Sequence, residues 1–177
     1  MQPNFELRIR SMGKSLTDTV LPTISPDNKI ALEQLHLVIS SLSLLSQQVE
    51  YVHWYESIET SSMLKQAEEL SKQIGHPADD LMGTANVAAI QATKPDAPLS
   101  LRQQGNILLR EALVRLIERG LELATDDVSS TNLRKIVLRY SREQIGRERA
   151  FVAATNLDVF PDNLVSIEQS LVDHSLE

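Results

Sequence analysis

Apolar residues along the chain recur at steps of three and four wherever they cluster, and nowhere in the strict alternation of a half-buried strand. From Asn4 to Leu21, Phe5, Ile9, Met12, Leu16 and Val20 lay down one stripe of an amphipathic helix, which Pro22 stops. "SPDN" then reads as a helix start, with Ser25 as N-cap, Pro26 in the first helical position and Asp27 in the first turn, where the dipole favours an anion. Ala31, Leu35, Val38, Leu42, Leu45, Val49 and Val52 continue the period, which runs on to Glu56, Glu59 and Met63 and is the strongest in the chain. No Gly or Pro interrupts it before Gly75, so the spacing predicts one unbroken rod from Pro26 into the fifties. A kink or break is expected only at the weak helix formers of "ETSSM", near residues 60–62. A second apolar row, Leu37, Leu44, Tyr51, Tyr55 and Ile58, gives this helix two sticky faces and a central place in a bundle.

In "GHPADD", Gly75 supplies a left-handed cap and Pro77 prevents continuation, and residues 78–92 make one short helix. Ser100 and Gln103 form a capping box that opens a helix from Leu101 to about Ala124. Asp126, Asp127 and the Ser/Thr cluster after them turn the chain into a last long helix over Asn132 to Thr155. Leu133, Ile136, Val137, Tyr140, Gln144 and Phe151 lie on or near its inner face. After Pro161, the period Leu164, Ile167 and Leu171 leaves a tail that docks as a short helix or stays mobile. The expectation is an all-α bundle of about five or six helices with a long central second helix, one domain over residues 1–160 and a tail over 161–177. Because the second helix has two apolar faces and few long partners, some apolar surface should remain for a second copy or another protein, predicting a homodimer or a complex.

Composition narrows the class. The 177 residues suit a chain able to bury a real core, and the absence of cysteine excludes disulfides, thiolate zinc sites and a Cys nucleophile. "MQPNFELRIR" places charges before any apolar run, unlike a secretory leader, and the nearly uncharged stretch Leu37 to Val49 falls short of a membrane span. A cytoplasmic protein is the expectation, with no membrane partner. A net charge of −7 argues against a generic nucleic-acid binder. The charge is uneven, however: acidic residues dominate 50–80, whereas 134–149 carries Arg134, Lys135, Arg139, Arg142, Arg147 and Arg149 against Glu143 and Glu148. Two solvated faces of one bundle would complement each other in this way; the sharper reading is a basic docking face for an acidic partner or a small anionic ligand.

Two Glu-x-x-His pairs, Glu33/His36 and Glu50/His53, have the spacing that helical di-metal carboxylate proteins use. Within a pair, carboxylate and imidazole share a helical face. Between the pairs, 17 residues of continuous helix mean roughly 26 Å and a rotation of about 100°, so one metal cluster would need a chain reversal between His36 and Glu50. No bound metal or other cofactor is therefore expected. His76, in a turn, and His174, near the terminus, add no helix-borne pair.

Glu56 and Glu59 fall where the stripe calls for apolar residues. They either close the buried seam as an ion-pair cluster or line a pocket for a small polar or anionic ligand with His53, Tyr55 and a cation such as Arg142 from the last helix. Arg142, Arg147 and Arg149 also suit a phosphate clamp, although such a face in an acidic protein is more often a salt-bridge surface or a protein interface. No G-x-S-x-G, Walker or dinucleotide glycine pattern occurs, and no catalytic residue is assigned.

The segment "RIRSMGKSLTDTVLPTISPDNKIALEQLHLVISSLSLLSQQ" resembles the opening of a family of small helical bacterial proteins that carry a domain of unknown function. The likeness lies in an Arg-containing first helix, a "VLP" stop, a "PDN" helix start and a Glu-Gln pair before a long apolar helix, over roughly the first quarter of the chain. The resemblance implies a bacterial accessory protein working beside acyl-CoA dehydrogenases and aminoglycoside-phosphotransferase-like kinases, and it supplies no catalytic residues. Two functions are thus expected in order: a non-catalytic interaction protein, or a small-ligand or metal-dependent ferritin-like enzyme using Glu50, His53, Glu56 and Glu59, with Glu33 and His36 as further metal ligands.

Overall fold

The computed structural model describes residues 4–75, 83, 91, 94, 96–153 and 158–172. Among them the protein is an all-α bundle of six α-helices with no strand. The helices are α1 (Phe5–Ser15), α2 (Lys29–Gln48), α3 (Val52–Ile74), α4 (Leu99–Leu123), α5 (Asp127–Phe151) and α6 (Ile167–Val172). The helix expected over 78–92, together with His76 and His174, lies outside the described residues apart from 83 and 91. The described chain forms two compact units, one of residues up to Val52 together with Arg147–Val172, the other of His53–Gly146. No described helix is long and apolar enough to cross a membrane.

In the first unit, the Asn4 side chain caps α1 by accepting the Leu7 N–H at 2.8 Å. Pro22 has no N–H to give, and ahead of it the helix widens into a π-turn over Leu16–Val20 and then a 3₁₀ turn over Leu21–Thr23. Helix α2 begins later than "SPDN" suggests. Ser25 to Asn28 close a turn, with the Asn28 N–H on the Ser25 carbonyl at 2.9 Å, and Asn28 rather than Ser25 caps the helix by accepting the Ala31 N–H at 3.2 Å. The tail contributes α6, whose Ser170 and Leu171 are buried.

The rod expected from Pro26 into the fifties is divided. Residues 49–51 form a turn between α2 and α3, where the Tyr51 N–H bonds the Gln48 carbonyl three residues back at 2.9 Å. The Gln48 side chain donates at 2.7 Å to the carbonyl of Phe151, tying the end of α2 to the end of α5. Val49, Tyr51 and Val52 are weak helix formers, and that is the only local warning. The "ETSSM" segment, by contrast, sits in unbroken helix: its hydroxyls turn back onto the carbonyls of the preceding turn, Thr60 to Glu56 and Ser61 to Ser57.

In the second unit, Met63, Ala67 and Leu70 of α3 pack with Leu109, Ala112, Leu113 and Leu116 of α4 and Leu133 of α5. Gly75 ends α3 at φ 74, the left-handed cap that its sequence setting implies. Helix α4 opens at Leu99 behind Pro98 with no side-chain cap, so the Ser100/Gln103 capping box does not form. Helix α5 starts five residues earlier than expected because Asp126 itself caps it, accepting the Ser129 N–H at 2.7 Å and the Ser129 hydroxyl at 3.0 Å. Leu133, Tyr140 and Phe151 of its predicted inner face are buried, and Ile136, Val137 and Gln144 are half-buried.

Candidate functional site

The carboxylates of Glu56 and Glu59 do turn inward, and what meets them comes from α4. Glu59 is 1% exposed and Glu56 half-buried. The Asn106 amide donates to the Glu56 carboxylate at 2.6 Å and to its main-chain carbonyl at 2.9 Å, while the Thr60 hydroxyl lies 2.6 Å from the Asn106 carbonyl oxygen. Arg110 reaches the Glu59 carboxylate at 3.3 Å. One turn towards the N-terminus of α4, the buried Arg102 donates to the Ser57 hydroxyl at 2.9 Å and to the Lys94 carbonyl at 2.8 Å. A cation of α4, Arg110, thus meets the Glu59 carboxylate. Periodicity locates the two carboxylates but not their partners, because Asn106 and Arg110 stand at ordinary helical positions.

This layer is a cross-braced contact between α3 and α4. Asn106, Thr60, Glu56 and Glu59 are engaged across it, as buried polar groups generally are, whereas the Nε of Arg102 is buried without a hydrogen-bond partner. His53 is exposed in the first turn of α3, where its carbonyl accepts the Ser57 hydroxyl, and Tyr55 is half-buried. Arg142 is exposed on α5 beside a shallow depression of about 350 Å³ that it shares with Lys135, Leu138, Arg139 and Glu143.

The candidate metal ligands lie on separate elements. Glu33 and His36 share an exposed dip on α2, Glu50 sits in the turn after it, and His53 opens α3. Among the described residues no group of three or more His, Asp or Glu side chains is placed to hold a metal ion. The proposed Arg clamp is also dispersed: Arg147 is 2% exposed, Arg142 is exposed, and Arg149 grips Asp158 with two bonds of 2.8 Å. That grip, with the Phe160 N–H, holds the Asp158 carboxyl down at about 2.

A second polar pair braces α3 to α5. The Tyr140 hydroxyl donates to the Glu69 carboxylate at 2.8 Å, and Arg139 reaches the other oxygen of the same group. Burial, then the neighbouring carboxylate, push the Tyr140 phenol up to about 12. Partial burial works against the Glu69 charge, but the Tyr140 and Arg139 bonds outweigh it and hold the carboxyl below its ordinary value.

Two surface features remain. In the first unit, a groove of about 630 Å³ is lined by apolar residues that include Ile9, Leu42, Ala150 and Ile167 and by polar ones that include Glu50, Tyr51 and Glu168. The cations beside it are already paired, Arg10 with Glu6 at 3.0 Å and Lys14 with Asp18 at 2.7 Å. In the second unit, Arg134, Lys135, Leu138, Arg142 and Ile145 are exposed along one strip of α5, at the spacing that places them on a common helical face. No family model, curated protein or solved structure matches the chain.

Proposed function

We propose that the chain is a non-catalytic accessory protein that docks a larger enzyme through the basic strip of α5. The observation that carries this reading is the strip itself: Arg134, Lys135 and Arg142 alternate with Leu138 and Ile145, which are 57% and 53% exposed. Exposed aliphatic side chains ringed by cations suit the acidic, partly apolar surface of another protein. The net charge of −7 does not oppose such a contact, because charges beyond a Debye length of about 8 Å are largely screened in physiological salt. The carboxylates that would have served catalysis, Glu56 and Glu59, are instead occupied in bracing α3 to α4. The resemblance of residues 8–48 to bacterial proteins that accompany acyl-CoA dehydrogenases and aminoglycoside-phosphotransferase-like kinases makes an enzyme of either kind the partner to try first, in the bacterial cytoplasm.

The alternative, a small-ligand or metal-dependent helical enzyme around Glu50, His53, Glu56 and Glu59, has one feature in its favour, the groove beside Glu50 and Tyr51. Elemental analysis combined with native mass spectrometry of the purified chain separates the two. The accessory reading expects the bare polypeptide mass and no stoichiometric metal. A stoichiometric metal or organic ligand would instead establish the enzyme reading.

A further inference from the structure

Helix α2 is 20 residues long and buries none of them. Its inner row, including Leu35, Ile39 and Leu42, is half-buried, but an outer row flanking it consists of Ile30, Gln34, Leu37, Val38, Ser41 and Leu45, all exposed. Its four aliphatic members are 76%, 56%, 48% and 50% exposed, in chain order. At about 100° per residue these six positions fall within one stripe roughly 100° wide. Between Glu33 and Glu50 the chain has no Asp, Glu, Lys or Arg, and His36 falls about 100° beyond the edge of the stripe, so this face itself offers no charge for an electrostatically selected partner to read.

The row is also a palindrome. Read in either direction it runs apolar, polar, apolar, apolar, polar, apolar, with steps of four, three, one, three and four. We propose that this face is the seam of a homodimer, in which two copies of α2 pack antiparallel about a two-fold axis passing between Leu37 and Val38. A two-fold interface places the same patch on both copies, so the patch must complement its own reverse, and this one does. Ile30 meets Leu45 of the second copy, Leu37 meets Val38, and Gln34 meets Ser41. The Ser41 hydroxyl already gives its proton to the Leu37 carbonyl at 2.8 Å, which leaves its oxygen free to accept from a Gln34 amide across the seam. A parallel pair would oppose Gln34 to Gln34 and align the two helix dipoles unfavourably.

The seam from Ile30 to Leu45 is about 22 Å long. One helix pair of that length is small beside the roughly 1,200–2,000 Å² that stable interfaces bury, so the dimer is expected to depend on protein concentration. This inference goes beyond the docking strip and stands on a different helix, so either can fail while the other holds.

The chain has no cysteine, which makes a direct test available on the full-length protein. In a Gln34→Cys/Ser41→Cys variant, the two thiols of one copy are about 10 Å apart along the helix and cannot bridge each other. Mild oxidation at tens of micromolar is expected to give a covalent dimer whose peptide map shows residue 34 joined to residue 41. A Leu37→Glu variant, altered at an exposed site, is expected to keep its circular dichroism and melting temperature while dimerising at least about 100-fold more weakly by light scattering. A natural chain that stays monomeric at about 100 μM, bridges only between identical positions, or a Leu37→Glu variant that dimerises normally would overturn the proposal.

Discussion

Asn106 of α4 and Thr60 of α3 meet at 2.6 Å in a part of the helix contact where each residue is only 1% exposed. The Asn106 amide also serves the Glu56 side chain and main chain, so one residue satisfies three groups of the facing helix. Asn106→Ala is expected to destabilise the protein by about 2–3 kcal/mol, because the partners stay buried after their bonds are lost. Urea denaturation measures this. If the layer were instead a ligand pocket built on an independent core, the midpoint would barely move.

The Tyr140 to Glu69 bond predicts a pH-dependent cost for Tyr140→Phe. Near neutrality the loss should be about 1 kcal/mol, less than a fully buried charged bond gives because Glu69 is partly open to water. The Glu69 carboxyl is lowered in the folded state, so its share of the stability is present above 4.5 and is lost as pH falls through the lower folded value. The Tyr140 phenol is raised from 10.0 to about 12, so its share is present below 10.0 and is lost as pH rises through about 12. The difference between natural and variant chains should therefore shrink at both extremes. A difference that stays constant from neutrality to well below pH 4.5 would show that the bond does not depend on the Glu69 charge.

Gly120 lies where α4 passes close to the end of α3. A Cβ there would sit 2.7 Å from the Ile74 Cδ1 and 3.0 Å from its Cγ1. Gly120→Ala gains helix propensity worth up to about 1 kcal/mol but must displace Ile74. A double-mutant cycle with Ile74→Val, which removes the crowding methyl, should show coupling of about 1 kcal/mol, with the alanine better tolerated in the valine background. Additive effects would mean that the close approach relaxes without cost.

The all-α class and the inner faces were legible in the sequence because they rest on period alone: Leu133, Tyr140 and Phe151 are buried where their spacing puts them. Helix ends were less so. Ser25, Asn28 and Asp126 are all good caps, and which one caps depends on how the chain enters the helix, which spacing does not show. The turn at 49–51 escaped notice for a related reason. It contains no Gly or Pro, and it is accompanied by a long-range bond from Gln48 to Phe151, 103 residues away. At the candidate site, Glu56 and Glu59 stood out as carboxylates in an apolar row. Asn106 and Arg110 could not, since only the packing of α4 on α3 brings them there.

Docking through α5 is tested most directly by recovering the tagged full chain from its own cells, natural and as Arg134→Glu/Lys135→Glu/Arg142→Glu, and quantifying co-purifying proteins by mass spectrometry. The account predicts one enzyme in near-equimolar amount with the natural chain, released by raised salt and reduced at least about tenfold by the charge reversal. Equal recovery with both chains, or no stoichiometric partner with either, would contradict it.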